Sequence, residues 1–431
     1  MLVEGYSNFL WTLLIAPFLF LGIDPLVAAR FLSMLSSILI LLMLVELIRF
    51  YTPGIRNSDI ALALTTVTLC SAFVAWTVGG LETIFFTLLV LLFVYLETRE
   101  PKLAIRYSPL VVLLLALTRP EGAMFFPILL AYRLYCRRSV NGELVRSVLL
   151  FILPFGLFLI WRYQTYGYLL PNTAYMKIHT SLWTIGLAFE WLLDFFVLRP
   201  IFTLVLMVSI ILLIRERKLF DQQWSLVVMI IGAFISFVLY AGRDWMPFHR
   251  FLVPLVPIFA VLISKTITRF QTGVARVVVI GLIGSIGLFE LFMSITVYQE
   301  QIINFGKFTT GLLEAGRIVK QETQQDSTIA VEDAGALAYS SERMSIDILG
   351  LNNEHIAHHP DLDIAEYVLS FRPEIVQLHL DRLPSGEIVG SQDSVINDQI
   401  LGHPDFSSCY ELSTEWLADP YMPYLFNREC D

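Results

Sequence analysis

Long apolar runs separated by short polar turns fill the first 298 positions, and the pattern changes after them. The runs fall at about 26–48, 60–78, 83–96, 107–118, 123–135, 148–163, 200–214, 224–241, 251–268 and 275–297. Most approach the ~20 residues an α-helix needs to cross hydrocarbon, whereas barrel strands would be shorter and alternate. Ten helical spans are the resulting expectation. Residues 7–23 are apolar but short and contain Pro17, which predicts a helix lying along the interface. Beyond residue 298 the periodicity becomes that of a small α/β domain. Residues 327–331, 344–349 and 373–380 read as short strands and 362–371 as a helix. The predicted fold is thus mostly α: a polytopic membrane bundle over 1–298 and a C-terminal α/β domain over 299–431, long enough for its own core.

Composition agrees with that division. The chain is 56% hydrophobic with a mean hydropathy of +0.68 and 16% charged residues, which excludes an ordinary soluble protein. Residues 1–298 carry 22 Lys and Arg against 15 Asp and Glu, a net +7. Residues 299–431 carry 7 against 23, a net −16, so nucleic acid is excluded as a partner and membrane lipids are the natural solvent of the first part. No basic n-region precedes the first apolar run, so that run is expected to act as its own signal. Cys409 and Cys430 both lie in the acidic part, where they either pair, if it is extracytoplasmic, or remain two thiols.

Basic residues collect in alternate loops, around Arg49 to Arg56, Arg99 to Arg106, Arg133 to Arg146, Arg215 to Lys218 and Lys265 to Arg276. Placing these loops in the cytoplasm puts the other turns on the opposite face. Those turns are Gly79-Gly80-Leu81-Glu82-Thr83, Thr118-Arg119-Pro120-Glu121-Gly122, residues 166–180 and residues 241–250, joined by the acidic domain. The expectation is a multi-pass protein of the inner (cytoplasmic) membrane whose C-terminal domain is extracytoplasmic. Nearly every turn rich in polar, aromatic, Gly or Pro residues shares one face, and such one-sidedness suggests a site.

Four of these turns carry candidate chemistry. Arg119 and Glu121 sit inside the apolar stretch 107–135, where ionisable residues are expensive and tend to mark a substrate path. The guanidinium fork suits a phosphate or pyrophosphate, the plain alternative being an Arg119–Glu121 turn held by its own ion pair. Glu82 begins a span behind two glycines, a place that favours a carboxylate even without a task. Asn172 and Lys177 belong to an aromatic loop, YGYLLPNTAYMK, that fits either headgroup anchoring or a sugar-stacking platform. Arg243, Asp244, His249 and Arg250 crowd one span boundary on the face where positive residues are disfavoured. Glu190 and Asp194, four apart on an apolar helix, read as an interfacial connector. His355, His358 and His359 have a spacing compatible with metal binding, yet without a third ligand type a solvated cluster is the favoured reading.

Taken together, EGYSNFLW (4–11), GGLET (79–83), LTRPEG (117–122), YGYLLPNTAYMK (166–177), GRDWMPFHRFLVPLVP (242–257) and DAGALAY…IDILGLNN (333–353) resemble bacterial GT-C-type membrane glycosyltransferases, nearest the cell-wall terminal arabinofuranosyltransferase family. The resemblance implies a polyprenyl-phosphate sugar donor, a glycan or lipid acceptor, and inverting transfer on the extracytoplasmic face of the cell envelope. A divalent cation is the only cofactor it would add. It implies substrate-binding roles for Glu4, Asn8, Arg119, Glu121, Asn172, Lys177, Arg243, His249 and Arg250. The general base it implies lies in an acidic loop ahead of EGYSNFLW. Met1 stands three residues before Glu4, so the expectation is that the reading frame continues upstream into that loop. Within the chain, Glu82 and Asp244 are the fallback bases.

A transporter or flippase of lipid-linked sugars is the competing reading, and a catalytically inactive relative is another. Alternating access requires charge lining both halves of a path, whereas here the charge is mainly one-sided. The orientation is checked by fusing a reporter after Asp431: a reporter active only outside the cytoplasm is expected, and a cytoplasmic signal would invert the scheme.

Overall fold

The structure is a computed structural model that describes residues 3–137, 142–177, 182–244, 246–382, 388–390, 395–413 and 423–430. The chain forms two compact units. One comprises Ser7–Arg162 and Ile178–Tyr298; the other comprises Met1–Tyr6, Tyr163–Lys177 and Gln299–Asp431.

The first unit is helical. Along the chain come α1 (Phe9–Phe20), α2 (Pro25–Tyr51), α3 (Asn57–Thr68), α4 (Ser71–Val78), α5 (Thr83–Arg99), α6 (Pro101–Thr118), α7 (Phe125–Arg137) and α8 (Gly142–Tyr166). After α9 (Asn172–Lys177), which belongs to the other unit, follow α10 (Leu182–Val197), α11 (Pro200–Arg215), α12 (Ser225–Ala241), α13 (Val256–Arg269) and α14 (Gly273–Met293). The start of α2 illustrates the local rules: Asp24 accepts from the backbone N–H groups of Leu26 and Val27, and Pro25 occupies the first helical position, where no donor is needed. At the centre lies α13, whose residues 256–264 are all buried, as expected of a helix apolar on every side. Against it and its neighbours pack Ile40, Leu44, Phe86, Phe93, Phe125 and Phe234. The outer faces of α2, α8 and α14 expose rows of Leu, Ile, Val and Phe, a surface that lipid satisfies and water does not.

Among the described residues, five helices are long and apolar enough to cross a membrane, or up to seven if each of two bent pairs counts as one span. These are the features of a multi-pass membrane protein, although among the described residues fewer helices reach that length than the about ten runs expected from hydropathy. The run 60–78 is two helices, α3 and α4, bent by 66°, and α10 meets α11 at 95°. The stretch around Arg119 forms a tight hairpin, with α6, a 3-10 turn over Pro120–Met124 and then α7. Its two legs have 18 and 13 residues. With 12 residues, α1 rises only about 18 Å.

The second unit contains a five-stranded sheet ordered β2-β1-β3-β7-β6. Its strands are β1 (Thr328–Val331), β2 (Met344–Asp347), β3 (Ile375–Leu378), β6 (Tyr410–Leu412) and β7 (Tyr424–Arg428), while β4 (Leu380–Arg382) and β5 (Ile388–Gly390) make a separate pair. β1 runs parallel to β2 and β3, whereas β7 is antiparallel to both β3 and β6. Because strand side chains alternate, Ile329, Val331, Ile375 and Leu425 face the long helix α15 (Gln299–Glu322). Ala330, Val376, Leu378 and Phe426 join a second core with Ile356, Val368 and Phe406. The sheet is thus covered on both faces, which explains the continuous apolar reading of β1 and β3. The strands and the helix (Ile364–Ser370) expected from sequence are present; α15 and the antiparallel edge are additional.

Cys409 and Cys430 are joined by a disulfide, with Cα atoms 5.0 Å apart. Cys70 and Cys136 are thiols outside that disulfide. A denatured, unreduced sample is therefore expected to take up two thiol labels per chain and four after reduction. By loop-closure entropy, removing the disulfide through Cys430→Ser destabilises the unit by about 3 kcal/mol, measurable as a lower midpoint in thermal unfolding.

Candidate functional site

In the helical unit the separated turns converge. Arg119 caps α6 in an extended conformation (φ −151°, ψ 143°), its N–H bonded to the carbonyl of Leu115. The next turn folds so tightly that a Cβ on Gly122 would lie 2.1 Å from the Leu115 oxygen; this glycine is required by close approach. The Nε of Arg119 lies 2.7 Å from a Glu121 carboxylate oxygen and 3.6 Å from one of Glu82. Asn8 donates its Nδ2–H to the other Glu82 oxygen at 3.0 Å, and the Trp11 indole donates to the Gly80 carbonyl. Arg119 and Glu82 are each 5% exposed. Among the described residues, the two Nη groups of Arg119 have no hydrogen-bond partner.

A second arginine stands close by. Arg250 donates from Nε and Nη2 to the two oxygens of Asp244, at 2.9 and 3.1 Å. The guanidinium carbons of Arg119 and Arg250 lie 5.3 and 5.4 Å from the centre of the Phe251 ring. Phe86 also flanks Arg119, and Trp76 flanks Arg250. Trp76 is buried, and among the described residues its Nε1–H has no acceptor. Two cations held by carboxylates thus lie against one shared aromatic ring in an apolar bundle. The turn supplying Arg250 holds two consecutive non-glycine residues at positive φ, Phe248 (63°) and His249 (48°), a strained geometry that often accompanies function. His249 packs on Trp191 and Phe195, while Arg243 is exposed.

Sequence reading missed another cluster. The Arg199 Nε lies 2.7 Å from a Glu290 carboxylate oxygen, and the other oxygen accepts from both the N–H and the hydroxyl of Ser71, at 3.0 and 2.7 Å. Arg199 also donates to the Ser71 hydroxyl and reaches the Tyr298 hydroxyl. The signal was present, because Glu290 is an ionisable residue inside an apolar run. Trp76 and Phe251 had no distinguishing signal, since aromatic residues are common throughout the bundle.

The α/β unit gathers a different set. The Asn172 N–H donates to the Glu4 carbonyl at 3.2 Å, and its Oδ1 lies 3.2 Å from His358 Nε2. His358 stacks on Tyr168, with ring centres 3.5 Å apart and planes 6° from parallel, and Tyr175 packs edge-on. Burial lowers the His358 pKa below the ordinary imidazole value, outweighing Glu354, so the ring is neutral at pH 7. His359 bonds the carbonyl of His355. The side chain of Lys177 lies outside the described residues. The motif over 333–353 is architectural: Asp347 accepts from Leu349 N–H and from the backbone and side chain of Asn352, while Asp333 and Gln377 bond each other across β1 and β3. Glu190 and Asp194 are exposed on α10. Among the described residues, no group of three or more His, Cys, Asp or Glu side chains gathers into a metal cage.

Residues 296–428 match a family model described as a domain of unknown function (DUF8728). No curated protein matches the chain.

The buried Arg199–Glu290 pair provides a stability test. Removing one partner of a buried ion pair typically costs about 3–5 kcal/mol because the other charge is stranded, whereas apolar replacement of both is often tolerated. Glu290→Ala is expected to lower the unfolding midpoint in detergent sharply, and a Glu290→Met/Arg199→Met double variant to recover most of the loss.

Proposed function

We propose that the protein is a membrane glycosyltransferase that moves a sugar from a polyprenyl-phosphate donor to a glycan or lipid acceptor in the cell envelope. The observation that carries this reading is the pairing of Arg119 and Arg250 against the one Phe251 ring, with the Arg119 Nη groups left for a ligand's oxygens. In such a transfer the acceptor oxygen bonds the anomeric carbon as the bond from that carbon to the phosphate oxygen breaks. The leaving phosphate then gains negative charge. Fixed guanidinium groups in a water-poor site stabilise that charge without having to reorganise. The Trp76 N–H is a further donor of the same sign.

The carboxylates have a supporting role. Glu82 is held by Asn8 and Arg119, and Asp244 is gripped by both arms of the Arg250 fork. Both carboxylates are thus already committed as acceptors to these partners. Both residues therefore orient the arginines, and the acceptor proton passes to a different base. With Glu82, Glu121 and Asp244 engaged in this way, they do not form a cation cage, and no step is routed through a divalent ion. The Cys409–Cys430 disulfide supports placing the α/β unit, and the chemistry, in an oxidising extracytoplasmic compartment.

Arg119→Ala and Arg250→Ala are each expected to reduce sugar transfer in isolated membranes by about 100-fold or more, the scale of losing one charge-stabilising group. Arg119→Lys should not restore it, because an ammonium lacks the two-pronged fork. Turnover that survives in a folded Arg119→Ala protein would sink the phosphate role.

A further inference from the structure

The turn that joins α4 to α5 is gripped by side chains of α1 and α2. The last carbonyls of a helix have no partner within it, and lipid supplies no donor for them. Arg30 donates from Nε to the Val78 carbonyl at 3.0 Å, the Trp11 indole to the Gly80 carbonyl at 3.2 Å, and the Ser33 hydroxyl to the Leu81 carbonyl at 3.4 Å. Asn8 completes the series at the Glu82 carboxylate, at 3.0 Å. Four donors from one helical hairpin thus meet nearly successive residues of a single turn.

The fit between hairpin and turn is close. Trp11 and Ser33 are buried, and the Trp11 ring packs on Phe85 of α5, with centres 5.7 Å apart. Gly80 has a φ of +81°, and a Cβ on it would lie 3.1 Å from a Leu26 methyl of α2. Arg30 is a cation within the apolar run 26–48, on the face where positive residues are disfavoured, and its bond to Val78 accounts for its presence.

What the turn joins gives the grip its consequence. On one side α4 carries Trp76, whose ring flanks Arg250 at 5.7 Å; on the other, Glu82 lies 3.6 Å from the Arg119 Nε. We infer that Asn8, Trp11, Arg30 and Ser33 are positioning residues, through which α1 and α2 set the 79–82 turn and, by way of Glu82 and Trp76, the two guanidinium groups. Asn8 then acts through Glu82 and touches no substrate. Helix α1, about 18 Å long, serves as a strap on this turn. The inference rests on the phosphate role proposed for Arg119, and it extends the site to residues that the leaving group does not meet. Displacing a charge-stabilising group by about 1 Å is enough to reduce a rate on the order of 100-fold, so residues that hold such a group count in the chemistry.

The test is isothermal titration of the full-length chain in detergent with farnesyl phosphate as the probe, which reads the phosphate site without requiring turnover. The unaltered chain is expected to bind saturably and Arg119→Ala to bind about tenfold more weakly or worse, the scale of a charged hydrogen bond. Trp11→Phe, which keeps a ring against Phe85 and removes only the N–H, and Asn8→Ala should each weaken binding about fivefold, the scale of a neutral one. In the Arg119→Ala background Asn8→Ala should change binding by less than about twofold, because its route to the phosphate has gone, whereas a merely structural role would subtract equally in both backgrounds. Asn8 is half-buried, so its truncation spares the core and carries the test should Trp11→Phe fail to fold. Loss in Arg119→Ala with full binding by Asn8→Ala and by folded Trp11→Phe, or an Asn8→Ala loss undiminished without Arg119, overturns this inference alone. Binding that is absent, or unchanged in Arg119→Ala, overturns the phosphate role and the positioning role together.

Discussion

A broken helix within a bilayer leaves backbone groups that neither lipid nor the helix itself can satisfy. Among the described residues the bundle has two such breaks, one between α3 and α4 and one between α10 and α11. The Glu290 carboxylate, on α14, touches both: one oxygen receives the N–H and hydroxyl at the start of α4, and the other meets the side chain of Arg199, the residue that precedes α11. A negative charge at a helix N-terminus is favourable in itself, and here it is neutralised by the cation it holds. One carboxylate thus ties the two bends together.

The bends matter because of what they free. Trp76 lies on the short α4, and the bundle core gathers around α13, whose N-terminal approach supplies Arg250 and Phe251. Phe251 then acts as a common surface for two guanidinium groups that would otherwise repel. Each cation has its own carboxylate, so the repulsion is reduced. Both guanidinium groups are thus fixed in place by their carboxylates and by the ring they share.

Hydropathy made the two-part architecture legible, and a charge in an apolar run was enough to single out Arg119 and Glu121. The bend at Leu69 and Cys70 was not legible, because no glycine or proline marks it; the partner that stabilises it lies 219 residues away. The other bend carried a local sign in Pro200. Gly122 looked like a turn former, but its reason is contact with the preceding helix. The two antiparallel strands, one of three residues and one of five, were too short for alternation to stand out. Nothing local indicated that residues near Glu4 and Asn172 would join the acidic C-terminal part, since that association rests on bonds made only in the folded unit.

That association bears on the order of assembly. A compact unit built from Met1–Tyr6, Tyr163–Lys177 and Gln299–Asp431 takes pieces from three widely separated moments of synthesis. The earliest pieces emerge long before the sheet that receives them, and closing such distant contacts is slow. During that interval the aromatic loop has no folded partner. The bundle helices on either side must therefore keep it on the correct side of the membrane until the last strand, β7, is in place beside β3.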